Sequence, residues 1–230
     1  MATIAQNVQQ VSERIAAACA AAQRRVEDLT LLAVSKTCSA QAIREAHANG
    51  LSRFGENYVQ EALDKMSELA DLRAKLQWHL IGPLQSNKTR VVAQSFDWVH
   101  SIDRLKIAQR LSEQRPEHLP PLQVCLQVNV SGESSKSGMP PDEVFDVARE
   151  VDALPNLRLR GLMSIPEPAR GLEAQRVPHR ALRELLQRVN EREGLALDTL
   201  SMGMTADLEA AILEGATIVR VGSAIFGARA

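Results

Sequence analysis

Apolar residues recur along the chain in two patterns that alternate. The N-terminal segment shows the helical pattern: Ile4, Val8, Val11, Ile15 and Cys19 recur every three or four positions with polar residues between them, which predicts an amphipathic helix. After it, short runs rich in Val, Leu and Ile alternate with longer segments of helical character. Eight such runs are predicted as strands: residues 29–36, 53–57, 76–82, 98–102, 122–130, 157–165, 199–202 and 217–223.

The strand-like runs indicate the fold class. They lack polar alternation, which suits parallel strands buried on both faces, and an alternating order requires crossover helices. One such helix is predicted between Ser39, a capping residue, and Gly50, a stop signal. Eight units predict an α/β protein with a single closed (β/α)8 TIM barrel over residues 1–230 and an extra N-terminal helix. An open doubly wound sheet is the alternative, but no G-x-G-x-x-G follows the first run.

Composition and charge exclude several classes of protein. With 230 residues, 45% hydrophobic and 24% charged, the chain can bury a sizeable core. Lys and Arg total 27 against 28 Asp and Glu, giving a net charge of -1, so no basic surface for nucleic acid or an anionic membrane is expected. We expect a monomer whose partners are small molecules.

The cysteines and the N-terminus suggest a compartment. Cys19, Cys38 and Cys125 are far apart and form no C-x-x-C pair, so we interpret them as reduced thiols. The first residues lack a basic leader followed by an apolar block, and no stretch reaches membrane-spanning length. We therefore expect a cytoplasmic protein.

In a barrel of this type the chemistry collects where the strands end. The first run ends on Lys36, whose ammonium would sit at the mouth of an apolar barrel. Desolvation there lowers a lysine pKa and frees the amine as a nucleophile for Schiff-base chemistry. The structural alternative is an ion pair between Lys36 and Glu56 or Asp103.

Two glycine-containing segments follow the last two runs, where such barrels often bind phosphate. They are SMGMT (201–205) and VGSAIFG (221–227), and glycine lets their backbone approach an anion closely. The candidate donors are Ser201, Gly203, Thr205, Gly222 and Ser223. The alternative is that these glycines serve tight turns only.

Two histidines and two tryptophans lie within the apolar runs. His79 and His100 have no further ligand at metal spacing, so we interpret them as hydrogen-bonded structural histidines. Trp78 and Trp98 are predicted core residues.

Together these features resemble the pyridoxal phosphate homeostasis protein family, whose barrel is that of the N-terminal domain of alanine racemase, a fold like type III of the enzymes that use pyridoxal 5'-phosphate (PLP). The matching segments run along most of the chain in the order of the family. They are LLAVSKT, RFGENYVQEAL, WHLIGPLQSNKTR, VHSIDRLKIAQRL, NVSGESSKSG, GLMSIP, DTLSMGMTADLEAAI and IVRVGSAIFGAR.

The resemblance implies a cofactor and a set of roles. Lys36 would hold PLP covalently, Arg220 would face the pyridine nitrogen, and Asn57 and Met202 would line the ring. The phosphate would lie among Ser201, Gly203, Thr205, Gly222 and Ser223. An arginine at that nitrogen keeps the ring unprotonated and disfavours carbanion chemistry. Members of the family carry or buffer PLP and maintain PLP and amino-acid homeostasis without an established reaction, so no enzymatic activity is expected, and apo-enzymes that need PLP are the implied recipients.

An enzyme on the same barrel, an amino-acid racemase or lyase, is the alternative function. Racemisation needs two bases on opposite faces of the cofactor, and alanine racemase takes its second base, a tyrosine, from an additional domain that we do not expect here. The only tyrosine is Tyr58. The chain departs from the family pattern at Cys38, where a lysine is common, and at Thr205, where serine is usual. Lys136, in a Gly- and Ser-rich loop, is a further candidate for contacting the cofactor.

Overall fold

The chain folds around a barrel of eight strands. A computed structural model of the protein describes residues 2–131 and 137–227. The strands of the barrel are β1 (Thr30–Val34), β2 (Arg53–Glu56), β3 (Gln77–Leu80), β4 (Trp98–Ile102), β5 (Leu122–Gln127), β6 (Leu157–Met163), β7 (Thr199–Ser201) and β8 (Ile218–Val221).

The strands are parallel and pair in sequence order, and the barrel is closed by the pairing of β1 with β8. At this closing seam Leu31 is in register with Val219 and Ala33 with Val221. The predicted (β/α)8 barrel is confirmed, and the open-sheet alternative is wrong, because an open sheet would leave β1 and β8 as unpaired edges.

Helices surround the barrel. Among the described residues they are α1 (Ile4–Ala21), α2 (Ala40–Ala48), α3 (Val59–Glu68), α4 (Thr89–Ser95), α5 (Leu105–Gln114), α6 (Val144–Asp152), α7 (Leu172–Glu193), α8 (Leu208–Leu213) and α9 (Ser223–Phe226). Short 3-10 turns occupy Val26–Asp28, Ala70–Leu72 and Ser86–Lys88. The extra N-terminal helix is confirmed: α1 buries Val8, Val11, Ile15 and Cys19 and packs against α2, α8 and α9.

Local signals in the sequence account for the ends of α2. The Ser39 hydroxyl accepts a hydrogen bond from the Ala42 amide at 3.2 Å, as expected of an N-cap. Gly50 follows the helix with φ of 92°, a backbone conformation that favours glycine. The predicted start and stop of this helix are confirmed.

The predicted strands extend too far at their C-terminal ends. The predicted runs include residues 35–36, 57, 81–82, 128–130, 164–165, 202 and 222–223, all of which lie beyond the ends of the strands. At these positions the chain leaves the sheet and enters the loops above the barrel. One apolar residue of these loops, Ile165, lines the cavity at the barrel mouth and is 43% exposed.

Polar side chains occupy part of the barrel interior. His100 on β4 contacts Ser201 on β7, and because these strands are not neighbours in the barrel, both side chains must point into its centre. The interior also holds an apolar cluster contributed mainly by the strands, which includes Leu32, Trp98 and Cys125. Trp78 and Trp98 are both buried, as predicted.

Candidate functional site

A cavity of about 290 Å³ opens at the C-terminal ends of the strands, where the sequence predicted the chemistry. Of the predicted site residues, Lys36, Asn57, Thr205, Arg220, Gly222 and Ser223 line it. Ser201, Met202 and Gly203 are not part of its lining. The remaining wall is formed by Val34, Ile81, Ile165, Met204 and Ala206.

Lys36 follows β1 directly, and a buried ionic cluster holds the turn that carries it. The Lys65 ammonium donates to the carbonyl oxygen of Ser35 at 2.7 Å, to Glu56 Oε1 at 2.9 Å and to Glu61 Oε1 at 2.5 Å. Glu61 Oε1 also accepts from the amide of Thr37 at 2.5 Å. Thr37 has φ of 63°, a conformation that non-glycine residues rarely adopt. The neighbours of Lys36 on both sides are therefore fixed by the same cluster.

Both carboxylates named as alternative partners of Lys36 are bonded to other side chains. Glu56 accepts from Ser35 Oγ at 2.6 Å and from Lys65, and Asp103 pairs with Arg104. Burial raises the pKa of Glu56 above its ordinary value, while the hydrogen bonds from Ser35 and Lys65 oppose that rise.

Arg220 is the next-to-last residue of β8 and is the most unusual residue of the site. Only 3% of its surface is exposed, yet it lines the cavity. Its Nη1 donates to Ser201 Oγ and its Nη2 to the carbonyl oxygen of Ser164, both at 2.8 Å. Burial lowers the pKa of Arg220 to about 10, which leaves it charged at neutral pH.

This guanidinium has no carboxylate partner at salt-bridge distance within residues 2–131 and 137–227. A guanidinium carries five N–H donors, and its two hydrogen bonds here use only some of them. A buried charge normally requires a partner, and this cation keeps donors that a partner within the cavity could use. Such a wall is complementary to a ligand that offers hydrogen-bond acceptors.

Ser201, Met202 and Gly203 form the support behind Arg220. The Gly203 carbonyl oxygen accepts from the Arg220 amide at 2.9 Å. Gly203 has φ of 88°, and a Cβ there would lie 2.4 Å from the Ala211 Cβ, so this glycine is needed for conformation and space. Met202 is fully buried in the core. Beyond this turn the chain brings Thr205 to the cavity.

Two further polar atoms near the cavity are buried without a hydrogen-bond partner among the described residues. They are Asn57 Oδ1 and Ser164 Oγ. Asn57 lines the cavity, and Ser164 bonds to Arg220 through its carbonyl oxygen. Unsatisfied buried polar groups are uncommon, and Asn57 Oδ1 can accept a hydrogen bond from a ligand in the cavity.

His79 and His100 are hydrogen-bonded to each other inside the barrel, with His79 Nδ1 and His100 Nε2 2.9 Å apart. The predicted hydrogen bonding of both histidines is confirmed. No group of three metal-ligating side chains occurs in the described part of the chain.

Sequence reasoning missed the apolar wall and the Lys65 cluster. Ile81, Ile165 and Met204 carry no chemical signal that separates them from core residues. The sequence pattern places Lys65 at a helical position typical of solvent-exposed residues, but it is 5% exposed.

Lys136 lies outside the described residues. Among those residues, no helix is long and apolar enough to cross a membrane.

Comparisons with known proteins agree with this geometry. The family model described as alanine racemase, N-terminal domain, matches residues 4–230. The pyridoxal phosphate homeostasis protein of Pseudomonas aeruginosa is 63% identical over 229 residues, which cover 100% of this chain and 97% of that protein.

Solved structures extend the comparison. PipY of Synechococcus elongatus, solved with PLP bound, is 35% identical, with a TM-score of 0.86 over 98% of this chain and 100% of that chain. Alanine racemase of Corynebacterium glutamicum is 20% identical, with a TM-score of 0.69 over 96% of this chain and 59% of that chain, and shares the fold. The chain thus belongs to the alanine racemase N-terminal domain family and, within it, to the pyridoxal phosphate homeostasis proteins.

Proposed function

We propose that this protein binds PLP in the cavity at the barrel mouth, covalently through Lys36, and carries or buffers it to maintain PLP and amino-acid homeostasis. The observation that carries the proposal is that Lys36 and the buried cation of Arg220 line one cavity. Relatives named for pyridoxal phosphate homeostasis and the PLP-bound structure of PipY support the choice of ligand.

The residues of the cavity fit the parts of PLP. When bound, PLP supplies an aldehyde that forms a covalent bond with a primary amine, and Lys36 has the only amine in the described lining. Arg220 would donate to the pyridine nitrogen, which meets the need of a buried cation for an acceptor. Asn57 would lie against the ring.

The phosphate would lie among Thr205, Gly222 and Ser223. Thr205 and Ser223 supply hydroxyl donors, and Gly222 lets the backbone come close where β8 passes into α9. Ser201, Met202 and Gly203 would then act behind this surface, because they shape the turn that holds Arg220 and delivers Thr205.

A carrier fits the ionisable groups of the site better than a racemase or lyase. In the described lining of the cavity, Lys36 and Arg220 are the only ionisable side chains. A buried arginine that stays protonated is a poor base, which leaves Lys36 alone to move a proton, whereas racemisation needs a base on each face. Tyr58 is 58% exposed and is not among the lining residues.

The proposed setting is the cytoplasm, with the protein acting as a monomer and delivering PLP to apo-enzymes. None of the three cysteines, which all lie in the described residues, forms a disulfide, in keeping with a reducing compartment.

Borohydride reduction tests the proposal directly. The purified protein is incubated with PLP, its visible absorption is recorded, and the reduced protein is digested for peptide mass mapping. We expect a new absorption band at a longer wavelength than that of free PLP, and a pyridoxyl group on Lys36. Lys36→Ala should abolish both, and Lys88→Ala, which removes an exposed lysine, should abolish neither. Modification found only on another lysine would overturn the covalent assignment.

A further inference from the structure

A continuous chain of polar side chains crosses the interior of the barrel and ends on Arg220. Gln77 Oε1 lies 3.1 Å from His79 Nε2, and His79 Nδ1 lies 2.9 Å from His100 Nε2. His100 Nδ1 lies 2.7 Å from Ser201 Oγ, which accepts from Arg220 Nη1 at 2.8 Å. Both histidines and Ser201 are almost completely buried.

Arg220 and Gln77, at the two ends of this chain of hydrogen bonds, are compatible with one direction. A guanidinium can only donate, so Ser201 Oγ accepts from it and has its single proton left for His100 Nδ1. A neutral imidazole that accepts at one nitrogen donates at the other. His100 Nε2–H therefore donates to His79 Nδ1, and His79 Nε2–H donates to Gln77 Oε1.

The far end of the chain requires the same direction. Gln77 Oε1 is a carbonyl oxygen and can only accept, so it demands a proton on His79 Nε2. Burial keeps both rings neutral, since it lowers the pKa of His100 to about 3 and that of His79 well below its ordinary value. The His79 ring is also stacked on Trp98, with ring centres 5.3 Å apart and planes 7° apart, which fixes its orientation.

We infer that Ser201, His100 and His79 are positioning residues that hold the Arg220 guanidinium in one orientation toward the cavity. Ser201 and the Ser164 carbonyl oxygen take one N–H from each terminal nitrogen, so together they fix the plane of the guanidinium. The fixed tautomers behind Ser201 keep its hydroxyl an acceptor toward Arg220. The expected effect on ligand binding rests on the proposed function, whereas the predicted tautomers of His79 and His100 do not.

The tautomers can be measured in protein to which no PLP has been added. Nitrogen-15 NMR of histidine-labelled protein separates protonated from unprotonated ring nitrogens. We expect His79 and His100 to be neutral at pH 7, with the proton on Nε2 in both. His179 is also buried but does not belong to this hydrogen-bond chain. Its ring Nε2 is bonded to Asp207, and it serves to check the assignment of the NMR signals. A proton on Nδ1 of His100 would overturn the inference, whether or not the protein binds PLP.

Variants then test whether the chain acts through Arg220. Ser201→Ala removes the acceptor, and His100→Leu breaks the chain behind it; each should weaken PLP affinity at least about tenfold and shift the absorption maximum of the bound cofactor. His100→Gln can accept from Ser201 and donate to His79 through its amide, so it should restore both properties. Ser112→Ala removes a buried hydroxyl bonded to the Pro155 carbonyl on the outside of the barrel and should change neither.

The outcomes separate this inference from the proposed function. If the wild type does not bind PLP, the proposed function fails while the NMR result still decides the direction of the chain. If the wild type binds PLP and both Ser201→Ala and His100→Leu bind it equally well with an unchanged spectrum, the positioning role is overturned. Equal weakening by His100→Leu and His100→Gln would also overturn it, because a requirement for ring shape rather than hydrogen bonding would explain both.

Discussion

The Nζ of Lys65 lies 2.9 Å from Glu56 Oε1, in a pair whose side chains are 6% and 0% exposed. The pair joins α3 to the end of β2, and through the Ser35 carbonyl oxygen it also reaches the end of β1. It therefore lies directly behind the residue that we propose to bind the cofactor. Two carboxylates, Glu56 and Glu61, share this one ammonium.

Lys65→Met should strongly destabilise the fold. The substitution leaves Glu56 as a buried charge without its cation, a change that typically costs about 3–5 kcal/mol. Urea unfolding followed by circular dichroism measures the loss. The double variant Lys65→Met/Glu56→Gln should recover part of it, because the unpaired charge is gone. A loss below about 1 kcal/mol, the range of exposed ion pairs, would contradict this account.

Gly82→Ala should disturb the cavity through its neighbour Asn57. A Cβ at Gly82 would lie 2.2 Å from the Asn57 carbonyl oxygen and 2.7 Å from its Cα, so the backbone at Asn57 must shift. We expect a loss of about 1–3 kcal/mol in stability, typical of overpacking, together with weaker PLP binding. The control is Gln85→Ala, at an exposed position three residues further on, which should leave both unchanged. Normal affinity in Gly82→Ala would mean that the position of Asn57 does not matter to the ligand.

The sequence was sufficient to predict the barrel and two residues of the site, Lys36 and Arg220. Apolar runs alternating with helical segments predict all eight strands, and Lys36 and Arg220 lie at or near the ends of such runs, so strand geometry alone brings them to the same mouth. The residues after β7 were harder to assign. Ser201 and Thr205 are both hydroxyl residues in one short segment, and only Thr205 lines the cavity, beyond a turn at Gly203 with φ of 88°.

The hydrogen-bond chain could not be predicted because it depends on contacts across the barrel. His79 and Gln77 lie on β3, His100 on β4 and Ser201 on β7. Sequence spacing shows that His79 and His100 lie in strands, but not that their rings face inward and meet. That relation depends on the stagger of the strands, which is set by the closed barrel as a whole.

Arg220→Met should weaken PLP binding, whereas the same substitution at a second buried arginine should not. Arg115 is the matched control, since its guanidinium is also buried and its hydrogen bonds to described residues all go to carbonyl oxygens, those of Ala93, Phe96 and Pro120. Both methionine variants should lose stability. Only Arg220→Met should change the affinity and the absorption spectrum of bound PLP, as measured by titration. An equal change in Arg115→Met would show that the effect comes from general destabilisation.

Glu214 should make stability depend on pH. It is 1% exposed and accepts from Arg176 and Arg183 at 2.7 Å and from Arg180 at 2.9 Å, which ties the end of α8 to α7. Burial alone would raise the pKa of Glu214, but the hydrogen bonds from Arg180 and Arg176 outweigh it and hold the pKa below its ordinary value.

A carboxylate with a lowered pKa in the folded state stabilises the protein above its unfolded pKa of about 4.3, and this contribution is lost as the pH falls through the folded pKa. Glu214→Gln should therefore be less stable than the wild type at pH 7, and the difference should shrink below about pH 4. Urea unfolding of both proteins at several pH values measures this. A difference independent of pH would indicate that the loss comes from packing.

The last prediction is that the PLP-loaded protein has negligible racemase activity. Inversion at an α-carbon requires removal of a proton from one face and delivery to the other, so a base must stand on each side of the cofactor. Lys36 can serve one face, while Arg220 stays protonated at neutral pH because its pKa is lowered only to about 10.

In deuterium oxide, a site with a single base can at most exchange the α-proton with retention of configuration. Chiral chromatography of L-alanine after long incubation with the loaded protein, combined with mass spectrometry for deuterium, separates exchange from inversion. We expect no D-alanine above the level produced by free PLP, and Lys36→Ala should remove any exchange that does occur. Inversion at roughly 1 s⁻¹ or faster, the low end for typical enzymes, would require a second base and would move the protein into the racemase class.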